Sequence, residues 1–461
     1  MEIIKDEKVI KIIEKIKEVI KLSRFNGHVY LVGGVVRDSL LGLPIKDVDV
    51  VVEGVDGGGT MVASMLAARE KCFKLGKNPV IYPAYNTTKV CLTNDDDLKD
   101  IDIEFADARK RAYAFNVDCT GTLEEDSKRR DLTINALYYD ITTGKLIDYN
   151  NSIADFTNKT LRCPSPYTMF VEDPIKMLRV IRFSAELGWE IEKNTWLAMI
   201  LNSSRLKDVV QEKISSEVSK ILISPNPSFG VRKMFHSGVL KKVIPDVHDL
   251  ISGYESRNPM VTAFDHTMQV LNTVQPILEN RLAALFHDIG NVVTDSANRA
   301  ISVDMFSAEI AATDLKEMKF SNAVIDAVEK SIRYHRVFKN YADGVTPPDK
   351  KIRKFVSLCG EHVLVTMDLM HANNIHSTYG KKKRQALDIL NRIEELDAIE
   401  EDKKIKLPVN GNDLIKELGI KKGPVIGILL NSIKDAYFEN PNITREECLK
   451  IAKEKEIALA T

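Results

Sequence analysis

The sequence predicts an α+β protein: a mixed-sheet N-terminal head followed by an all-helical neck, body and tail. Residues Val29 to Glu53 read as strand, glycine turn, helix, turn and strand, and Ile101 to Phe105 alternate apolar and acidic side chains. The C-terminal half has helical spacing without a strong strand pattern. The 461 residues are too many for one compact core. We expect an N-terminal helix (1–22), the head (23–160), the neck (161–225), the body (226–395) and the tail (396–461).

Composition excludes several classes of protein. Six scattered cysteines without a CxxC pair argue against a disulfide framework or a zinc knuckle. No apolar run approaches the roughly 20 residues of a membrane span, and the N-terminal helix lacks the apolar segment of a signal peptide. We therefore expect a cytoplasmic protein with no membrane partner. Its formal net charge of -1 confines any RNA binding to local basic surfaces.

Two aspartates open the second strand of the stretch from Val29 to Glu53. Asp47 and Asp49 are two residues apart, so their side chains point to the same face of the strand. Carboxylates are oxygen ligands of the kind that Mg²⁺ prefers. The spacing therefore predicts that Asp47 and Asp49 hold Mg²⁺ ions together and act as catalytic residues.

A glycine turn and the start of a helix precede these aspartates. Gly33 and Gly34 have no side chains, so a triphosphate can approach their backbone closely. The helix offers free N–H groups to an anion, and Arg37 adds a charged fork. A phosphate-binding turn beside a metal-binding pair suits nucleotidyl transfer, in which metal ions activate a hydroxyl and neutralise the leaving pyrophosphate. The alternative is an ordinary glycine turn followed by two surface aspartates.

The segment GGVVRDSLLGLPIKDVDVVVEG resembles the nucleotide-binding signature of class II CCA-adding tRNA nucleotidyltransferases and bacterial poly(A) polymerases. Two further blocks, GTLEEDSKRRDLTINALYYD and VEDPIKMLRVIRFSAELGW, follow in the family's order. The resemblance implies a nucleotidyltransferase head of the polymerase β type, with ATP and CTP as substrates. It also implies that CCA is added to tRNA, bound through its 3′ end and acceptor stem. A homodimer is an oligomeric state that the sequence leaves open.

Further head residues complete the predicted site. Asp102 and Glu104 share one face of their strand, and Glu104 fits the family's third carboxylate better; an exposed acidic face is the alternative. Arg129 and Arg130 beside Asp131 suit a triphosphate and a ribose hydroxyl. The resemblance implies that Arg130 contacts the nucleotide and that Asp131 contacts the ribose.

The third block predicts a helix with Asp173 as its N-cap and Pro174 at its first position. The resemblance implies that this helix reads the incoming base, with Asp173, Lys176, Arg179 and Arg182 as nucleotide-binding residues. Lys176 stands where the family's Glu-Asp-x-x-Arg motif has arginine, and lysine cannot make a planar two-pronged contact. The choice between CCA addition and A-only addition, as by a poly(A) polymerase, therefore stays open.

Histidines in the C-terminal half resemble an HD-type metal phosphohydrolase module. His266, His287 and Asp288 match it, which implies a divalent metal site and an alternative function as a phosphohydrolase. Ala308 and Asn373 stand where the module's further histidine and aspartate are expected. Because lost ligands weaken metal affinity, we expect a degenerate, structural module.

Several other segments are interpreted as structural. Gly54 to Thr60 (GVDGGGT) lacks the Gly-Lys-Ser/Thr of a phosphate loop and is interpreted as a flexible connection. Glu212 and Lys213, at the start of a helix, are expected to have a structural role. The basic runs Lys381–Arg384 and Lys403–Lys406 would contact a tRNA backbone through its phosphates, but isolated runs are more often solvated.

Overall fold

The structure of the protein is a computed structural model. It describes residues 3–74, 78–83, 86–110, 121–251, 254–255, 258–293, 302–377, 382–400, 407–420 and 423–460. The chain forms two compact units, unit 1 (Met1–Val243) and unit 2 (Ile244–Thr461). The five-part division predicted from the sequence stays a prediction.

Unit 1 is built on a seven-stranded mixed sheet. Its strands are β1 (Val29–Val32), β2 (Asp47–Val52), β3 (Val80–Tyr82), β4 (Thr87–Cys91), β5 (Asp102–Asp107), β6 (Leu137–Asp140) and β7 (Leu146–Asp148). The order across the sheet is β3-β4-β5-β2-β1-β6-β7. Only β2 and β5 are parallel; the other neighbouring strands of this sheet are antiparallel. The mixed-sheet head predicted from the sequence is confirmed.

Helices surround and follow this sheet. They are α1 (Glu7–Ile20), α2 (Gly34–Leu41), α3 (Gly58–Arg69), α4 (Leu123–Arg129), α5 (Ser152–Asn158), α6 (Pro166–Glu172), α7 (Lys176–Leu187), α8 (Lys193–Asn202), α9 (Gln211–Leu222), α10 (Pro227–His236) and α11 (Leu240–Val243). Two 3-10 helices span Thr133–Asn135 and Ser203–Asp208. A short parallel pair, β8 (Thr160–Leu161) and β9 (Glu190–Ile191), adds strands to the neck, which was predicted to be all-helical.

The glycine-rich segment after β2 leads into α3, whose first residues are its last three, Gly58 to Thr60. Both carboxylate oxygens of Asp107 accept hydrogen bonds from it, from Gly57 N at 2.8 Å and Gly59 N at 2.7 Å. A Cβ on Gly59 would lie 3.0 Å from the backbone of Ala106, so only glycine packs here without displacement. The interpretation of Gly54 to Thr60 as a flexible connection is therefore wrong.

The described residues of unit 2 are helical apart from loops and one antiparallel pair, β10 (Tyr254–Glu255) and β11 (Asn258–Thr262), which the sequence did not predict. Its helices are α12 (Pro245–Asp249), α13 (Ala263–Thr273), α14 (Leu278–Phe286), α15 (Gly290–Val293), α16 (Val303–Glu317), α17 (Asn322–Tyr334), α18 (Asp349–Cys359), α19 (Val363–His376), α20 (Gln385–Glu400), α21 (Gly411–Leu418), α22 (Pro424–Glu439) and α23 (Arg445–Ala460). A 3-10 helix, Gly360–His362, precedes α19.

Two sequence-level exclusions can be compared with the described residues. No helix among them is long and apolar enough to cross a membrane. The five cysteines within them are free thiols. Of the predicted basic runs, Lys381 and Lys403–Lys406 lie outside the described residues, and Lys382 donates a hydrogen bond to the carbonyl of Lys339.

Candidate active site

The predicted carboxylates meet in the middle of the sheet of unit 1. Asp47 and Asp49 alternate along β2 with the buried Val48 and so share one face. The parallel pairing of β2 with β5 places Asp49 opposite Glu104. On the other side of β2, Asp49 pairs with Val32, the last residue of β1. The sheet therefore brings together residues that are more than 50 positions apart in the sequence.

The glycine turn after β1 lies directly against these carboxylates. Gly33 has φ of +74°, and a Cβ there would lie 2.8 Å from Oδ2 of Asp49. A Cβ on Gly34 would lie 3.8 Å from Oδ1 of Asp47. The turn thus needs glycine both for its left-handed backbone and for the close approach. The glycine turn and the acidic pair therefore lie close together, and phosphate binding by the turn stays a prediction.

Burial and nearby like charges both act on the carboxylate of Asp49. Burial raises the pKa of Asp49 to about 6; the charges of Asp47 and Glu104 raise it further, while Arg130 and Arg37 oppose them. A divalent cation would favour the ionised form of each carboxylate. The oxygen donors of this cluster therefore fit the Mg²⁺ predicted from the sequence.

A buried carboxylate that the sequence analysis missed holds the two arginines of the second block. Asp126, on α4, is completely buried. Its Oδ1 accepts from Nε of Arg129 at 2.8 Å, and its Oδ2 accepts from Nε of Arg130 at 2.9 Å and from the Tyr138 hydroxyl at 2.7 Å. Burial opposes ionisation, but the charges of Arg130 and Arg129 hold the pKa of Asp126 well below its usual range. The i+3 and i+4 spacing from Asp126 to the arginines is the signal that indicates this pairing.

Arg37 is also held by protein groups. Its Nε and Nη2 donate to the two oxygens of Asp38 at 2.8 Å, and its Nη1 donates to Oδ1 of Asn135 at 2.9 Å. Its guanidinium lies 4.9 Å from the centre of the Phe183 ring. Arg37 is therefore pre-oriented, with much of its charge offset by Asp38. Phosphate binding by Arg37 stays a prediction.

Asp131 is buried and fully engaged. Its Oδ1 accepts from Leu132 N and from Nδ2 of Asn135, and its Oδ2 accepts from Nε and Nη2 of Arg179 at 2.8 and 2.6 Å. A carboxylate has about four acceptor positions, and these four bonds fill them. The predicted ribose contact of Asp131 therefore has no support from the hydrogen bonds. Asp131 and Asn135 instead fix the orientation of Arg179.

The start of the third block differs from the prediction. Asp173 is the residue that follows α6, with φ of -140°, and α7 begins at Lys176. Pro174 thus stands before the helix and not at its first position. The expectation that Asp173 caps this helix is wrong, because the N-cap residue of α7 is Ile175. Asp173 lines a neighbouring cavity.

A cavity of about 550 Å³ connects these residues. Such a volume is typical of a small-molecule site. Lys176 lines it, but its Nζ donates to the carbonyl of Arg129 at 2.9 Å. Burial lowers the pKa of Lys176, against the charges of Asp131 and Asp173. The full lining is Arg129, Arg130, Asp131, Asp173, Ile175, Lys176, Arg179, Glu212, Lys213, Ser216 and Glu217.

Two predictions about the surroundings of this cavity can be compared with the lining. Arg182, predicted to bind nucleotide, is not part of it: its Nε donates to Glu217 at 2.8 Å and its Nη1 donates to Glu186 at 2.9 Å. The bond to Glu217 joins α7 to α9, and the bond to Glu186 stays within α7, so the geometry gives Arg182 a structural role. Glu212 and Lys213, expected to be structural, do line the cavity.

The histidines predicted for an HD-type module come together in unit 2. Oδ2 of Asp288 lies 3.7 Å from Nε2 of His266 and 3.5 Å from Nε2 of His287. Among the described residues, these three form the only group whose metal-binding atoms all lie within 4.8 Å of one another. Nε2 of His287 and Oδ1 of Asp288 are buried without a hydrogen-bond partner, as is Nε2 of the nearby His335. Burial lowers the pKa of His287 to about 4, so its ring is neutral at pH 7.

Three neighbours set this cluster apart from a complete metal centre. Asn373 stands where the aspartate is expected, and its amide Oδ1 accepts a hydrogen bond from Nε2 of His266 at 3.0 Å. Ala308 is buried and offers no ligand. Nη1 of Arg336 lies 3.6 Å from Oδ1 of Asp288. The HD-type resemblance stays a prediction, with three candidate ligands and a competing cation.

Three family models match separate parts of the chain. Residues 29–162 match the poly A polymerase head domain. Residues 188–251 match the probable RNA and SrmB-binding site of polymerase A, and residues 297–452 match a putative domain 2 of tRNA nucleotidyltransferase. Fold and site thus define a nucleotidyltransferase head joined to helical segments.

Relatives and solved structures extend the likeness over most of the chain. The multifunctional CCA protein of Neisseria gonorrhoeae is 32% identical over 320 residues, which cover 67% of this chain and 74% of the relative. That of Mannheimia succiniciproducens is 34% identical over 290 residues, covering 58% and 63%. The crystal structure of the Bacillus stearothermophilus CCA-adding enzyme in complex with CTP has a TM-score of 0.67 at 20% identity, covering 99% of both chains. A complex of a CCA-adding enzyme with ATP has a TM-score of 0.63 at 22% identity, covering 99% and 96%.

The chain therefore belongs to the family of class II CCA-adding tRNA nucleotidyltransferases and bacterial poly(A) polymerases. The sequence relatives carry this conclusion. The solved structures show that the fold is shared along the whole chain.

Proposed function

We propose that this protein is a CCA-adding tRNA nucleotidyltransferase, which transfers nucleotides from CTP and ATP to the 3′ hydroxyl of tRNA. The observation that carries the proposal is the contact of Asp47 and Asp49 with the Gly33–Gly34 turn. It gains weight from the 32% identity to a multifunctional CCA protein over 320 residues. tRNA, bound through its 3′ end and acceptor stem, is the proposed partner. A homodimer and a cytoplasmic location stay predictions.

The proposed reaction forms a bond between the 3′ oxygen of the RNA and the α-phosphorus of the nucleotide. The bond from the α-phosphorus to the bridging oxygen breaks, pyrophosphate leaves, and the 3′ hydroxyl loses its proton. Asp47 and Asp49 would hold two Mg²⁺ ions, with Glu104 next to Asp49 as a further carboxylate. When bound, Mg²⁺ supplies Lewis acidity for the attacking hydroxyl and charge for the leaving pyrophosphate.

Residues of the turn and of the second block would bind the triphosphate. Gly33 and Gly34 leave room for phosphate oxygens at the start of α2, where backbone N–H groups are free. Arg130 contributes a half-buried cation whose Nη1 lies 3.9 Å from the Cβ position of Gly33. Because Asp126 fixes this guanidinium, the cation is already in place when the nucleotide arrives.

Addition of A alone, as by a poly(A) polymerase, is the rival within the family. It would use the same carboxylates, so the site does not separate the two. The test is to incubate the purified protein with tRNA that lacks its 3′ CCA and with each labelled nucleoside triphosphate singly. We expect incorporation of CTP, and of ATP once two C residues are present. If only ATP is incorporated, the protein adds A and the CCA assignment is wrong.

One observation favours a second candidate function for unit 2. Nε2 of His287 and Oδ1 of Asp288 are buried without a hydrogen bond and suit a divalent metal, which a phosphohydrolase would need. The loss of ligands at Ala308 and Asn373 argues against hydrolysis. The test is metal-dependent release of phosphate from a nucleotide or cyclic phosphate by the full chain. Activity that disappears in Asp288→Asn would support this function, and its absence would support a degenerate module.

A further inference from the structure

One wall of the cavity in unit 1 carries charges that the proposed mechanism does not use. Lys213 is exposed in the first turn of α9 and lines the cavity. Within the described part of the chain its ammonium has no hydrogen bond or ion pair. Asp173, which lines the same cavity, likewise has a carboxylate without a side-chain partner among the described residues. A free donor and a free acceptor thus face one space.

The cations of α7 are less available than their positions in the motif suggest. Lys176 donates to the carbonyl of Arg129 at 2.9 Å. Arg179 uses Nε and Nη2 to clamp Asp131. Both side chains therefore serve the protein's own groups. The donor that the family's motif arginine would supply must come from elsewhere.

The direction of the nucleotide in the cavity follows from its phosphate end. Arg130 belongs to the cavity and also lies beside the Gly33 turn, where the triphosphate is proposed to bind. Asp173 and residues of α7 and α9 line the same cavity as Arg130. With the phosphates at the Gly33 end, the base extends toward Asp173 and Lys213.

We propose that Lys213 is a specificity-determining residue that donates a hydrogen bond to the ring nitrogen of the incoming cytosine or adenine. Asp173 accepts from the neighbouring amino group of the base. Cytosine and adenine share this pattern, an amino donor next to an acceptor nitrogen, whereas uracil and guanine present a carbonyl next to an N–H. One ammonium and one carboxylate therefore accept C and A and disfavour U and G. This inference rests on the proposed function.

The test compares Lys213→Met with Lys220→Met in the full-length protein. Lys220 lies seven residues further along the same face of α9, is exposed and is outside the cavity lining. For each protein, kcat/KM is measured for CTP and UTP on tRNA without CCA, and for ATP and GTP on tRNA ending in CC. Binding of CTP and of UTP without tRNA is measured as well.

For Lys213→Met we expect the preference for CTP over UTP, and for ATP over GTP, to fall about tenfold or more, mainly through KM. CTP binding without tRNA should weaken while UTP binding changes little. Lys213→Arg should keep the preference, since it restores a donor, and Lys220→Met should match the natural protein.

Two results would overturn the inference. In one, Lys213→Met keeps both preferences within about twofold while Arg179→Lys loses them, which makes Arg179 the reader. In the other, only the KM for tRNA rises, which makes Lys213 a contact to the RNA backbone. If the natural protein incorporates neither CTP nor ATP, the proposed function itself fails, and the CTP and UTP binding data show this separately.

Discussion

The acidic cluster of unit 1 and the histidine cluster of unit 2 differ in ligand type and in solvent. Asp47 is exposed and Asp49 only partly buried, and they offer oxygen atoms beside a glycine turn. His266, His287 and Asp288 are buried and offer mostly nitrogen. The first set suits hard ions that bring a phosphate with them, and the second suits a transition metal in a dry site.

The arginines near the two clusters account for a second difference. In unit 1, Arg129 and Arg130 are bound by Asp126, a carboxylate that takes no part in the acidic cluster. In unit 2, Arg336 lies against Asp288, which is itself a candidate ligand. A cation that is paired elsewhere can assist an anionic substrate, whereas a cation at the ligand competes with a metal. Because the arginines of unit 1 pair with a carboxylate outside the acidic cluster, the carboxylates within that cluster stay available to metal ions.

The largest expected effect comes from the acidic cluster. Asp47→Ala removes a proposed ligand of Mg²⁺ and should reduce nucleotidyl transfer by at least ~10³-fold. Because Asp47 is exposed, the free energy of unfolding should stay within about 0.5 kcal/mol of the natural value. Transfer is measured with labelled CTP, and unfolding with urea. Asp100→Ala, which removes an exposed carboxylate of the head outside the cluster, is the control and should remain active. If Asp47→Ala remains active, the acidic cluster does not bind the metal ions of the reaction, and its comparison with the histidine cluster fails.

The next effect tests the pairing that keeps the arginines in place. Asp126→Ala leaves Arg129 and Arg130 without their buried partner and should lower the free energy of unfolding by about 3–5 kcal/mol. Glu124→Ala, on the same helix, removes only an exposed pair with Lys128 and should cost less than about 1 kcal/mol. Urea unfolding of both variants gives the values. If both variants lose the same free energy of unfolding, the burial of Asp126 does not determine how strongly it pairs with Arg129 and Arg130.

The close approach of turn and carboxylate can be measured separately from backbone strain. Gly33→Ala adds a Cβ 2.8 Å from Oδ2 of Asp49 at φ of +74°, whereas Gly27→Ala adds one at φ of +82° with nothing within 4 Å. Both should lose about 1–3 kcal/mol of stability from the backbone alone. Only Gly33→Ala should also lose transfer, by ~10²-fold, since the carboxylate is displaced. If Gly27→Ala loses transfer equally, strain and not contact is responsible.

The sequence predicted local patterns of secondary structure more fully than it predicted which distant strands pair. The strand–turn–helix–turn–strand order around Gly33 and Asp49 is a local pattern, and the structure agrees to within a residue or two at each end. The adjacency of Asp49 and Glu104 depends on strand pairing, which the family resemblance supplied. The helix break at Asp173 was missed because Asp-Pro is a common helix start. Only tertiary packing ends α6 just before Asp173 and begins α7 at Lys176.

Buried charge networks were the least predictable part of the site. Asp131 was assigned to the ribose, but its acceptor positions are filled by Leu132, Asn135 and Arg179. Such saturation depends on residues from three segments, so no window of sequence contains it. Lys213 was assigned a structural role for the same reason: its place in the cavity depends on how α9 packs against α7.

The smallest expected effect tests whether the histidine cluster of unit 2 is a metal centre with a missing ligand. Asn373→Asp places a carboxylate 3.0 Å from Nε2 of His266, where an amide now stands, and should tighten Co²⁺ binding about tenfold. Asn374→Asp adds the same charge one residue away, on a side chain that bonds Gln385, and is the control. Binding is followed by the visible absorption of Co²⁺, and His287→Ala should abolish it. If Asn373→Asp binds no more tightly than Asn374→Asp, the cluster is a buried polar network and only the acidic cluster of unit 1 is built for metal ions. Transfer of CTP should be the same in both variants, because neither position belongs to the proposed active site.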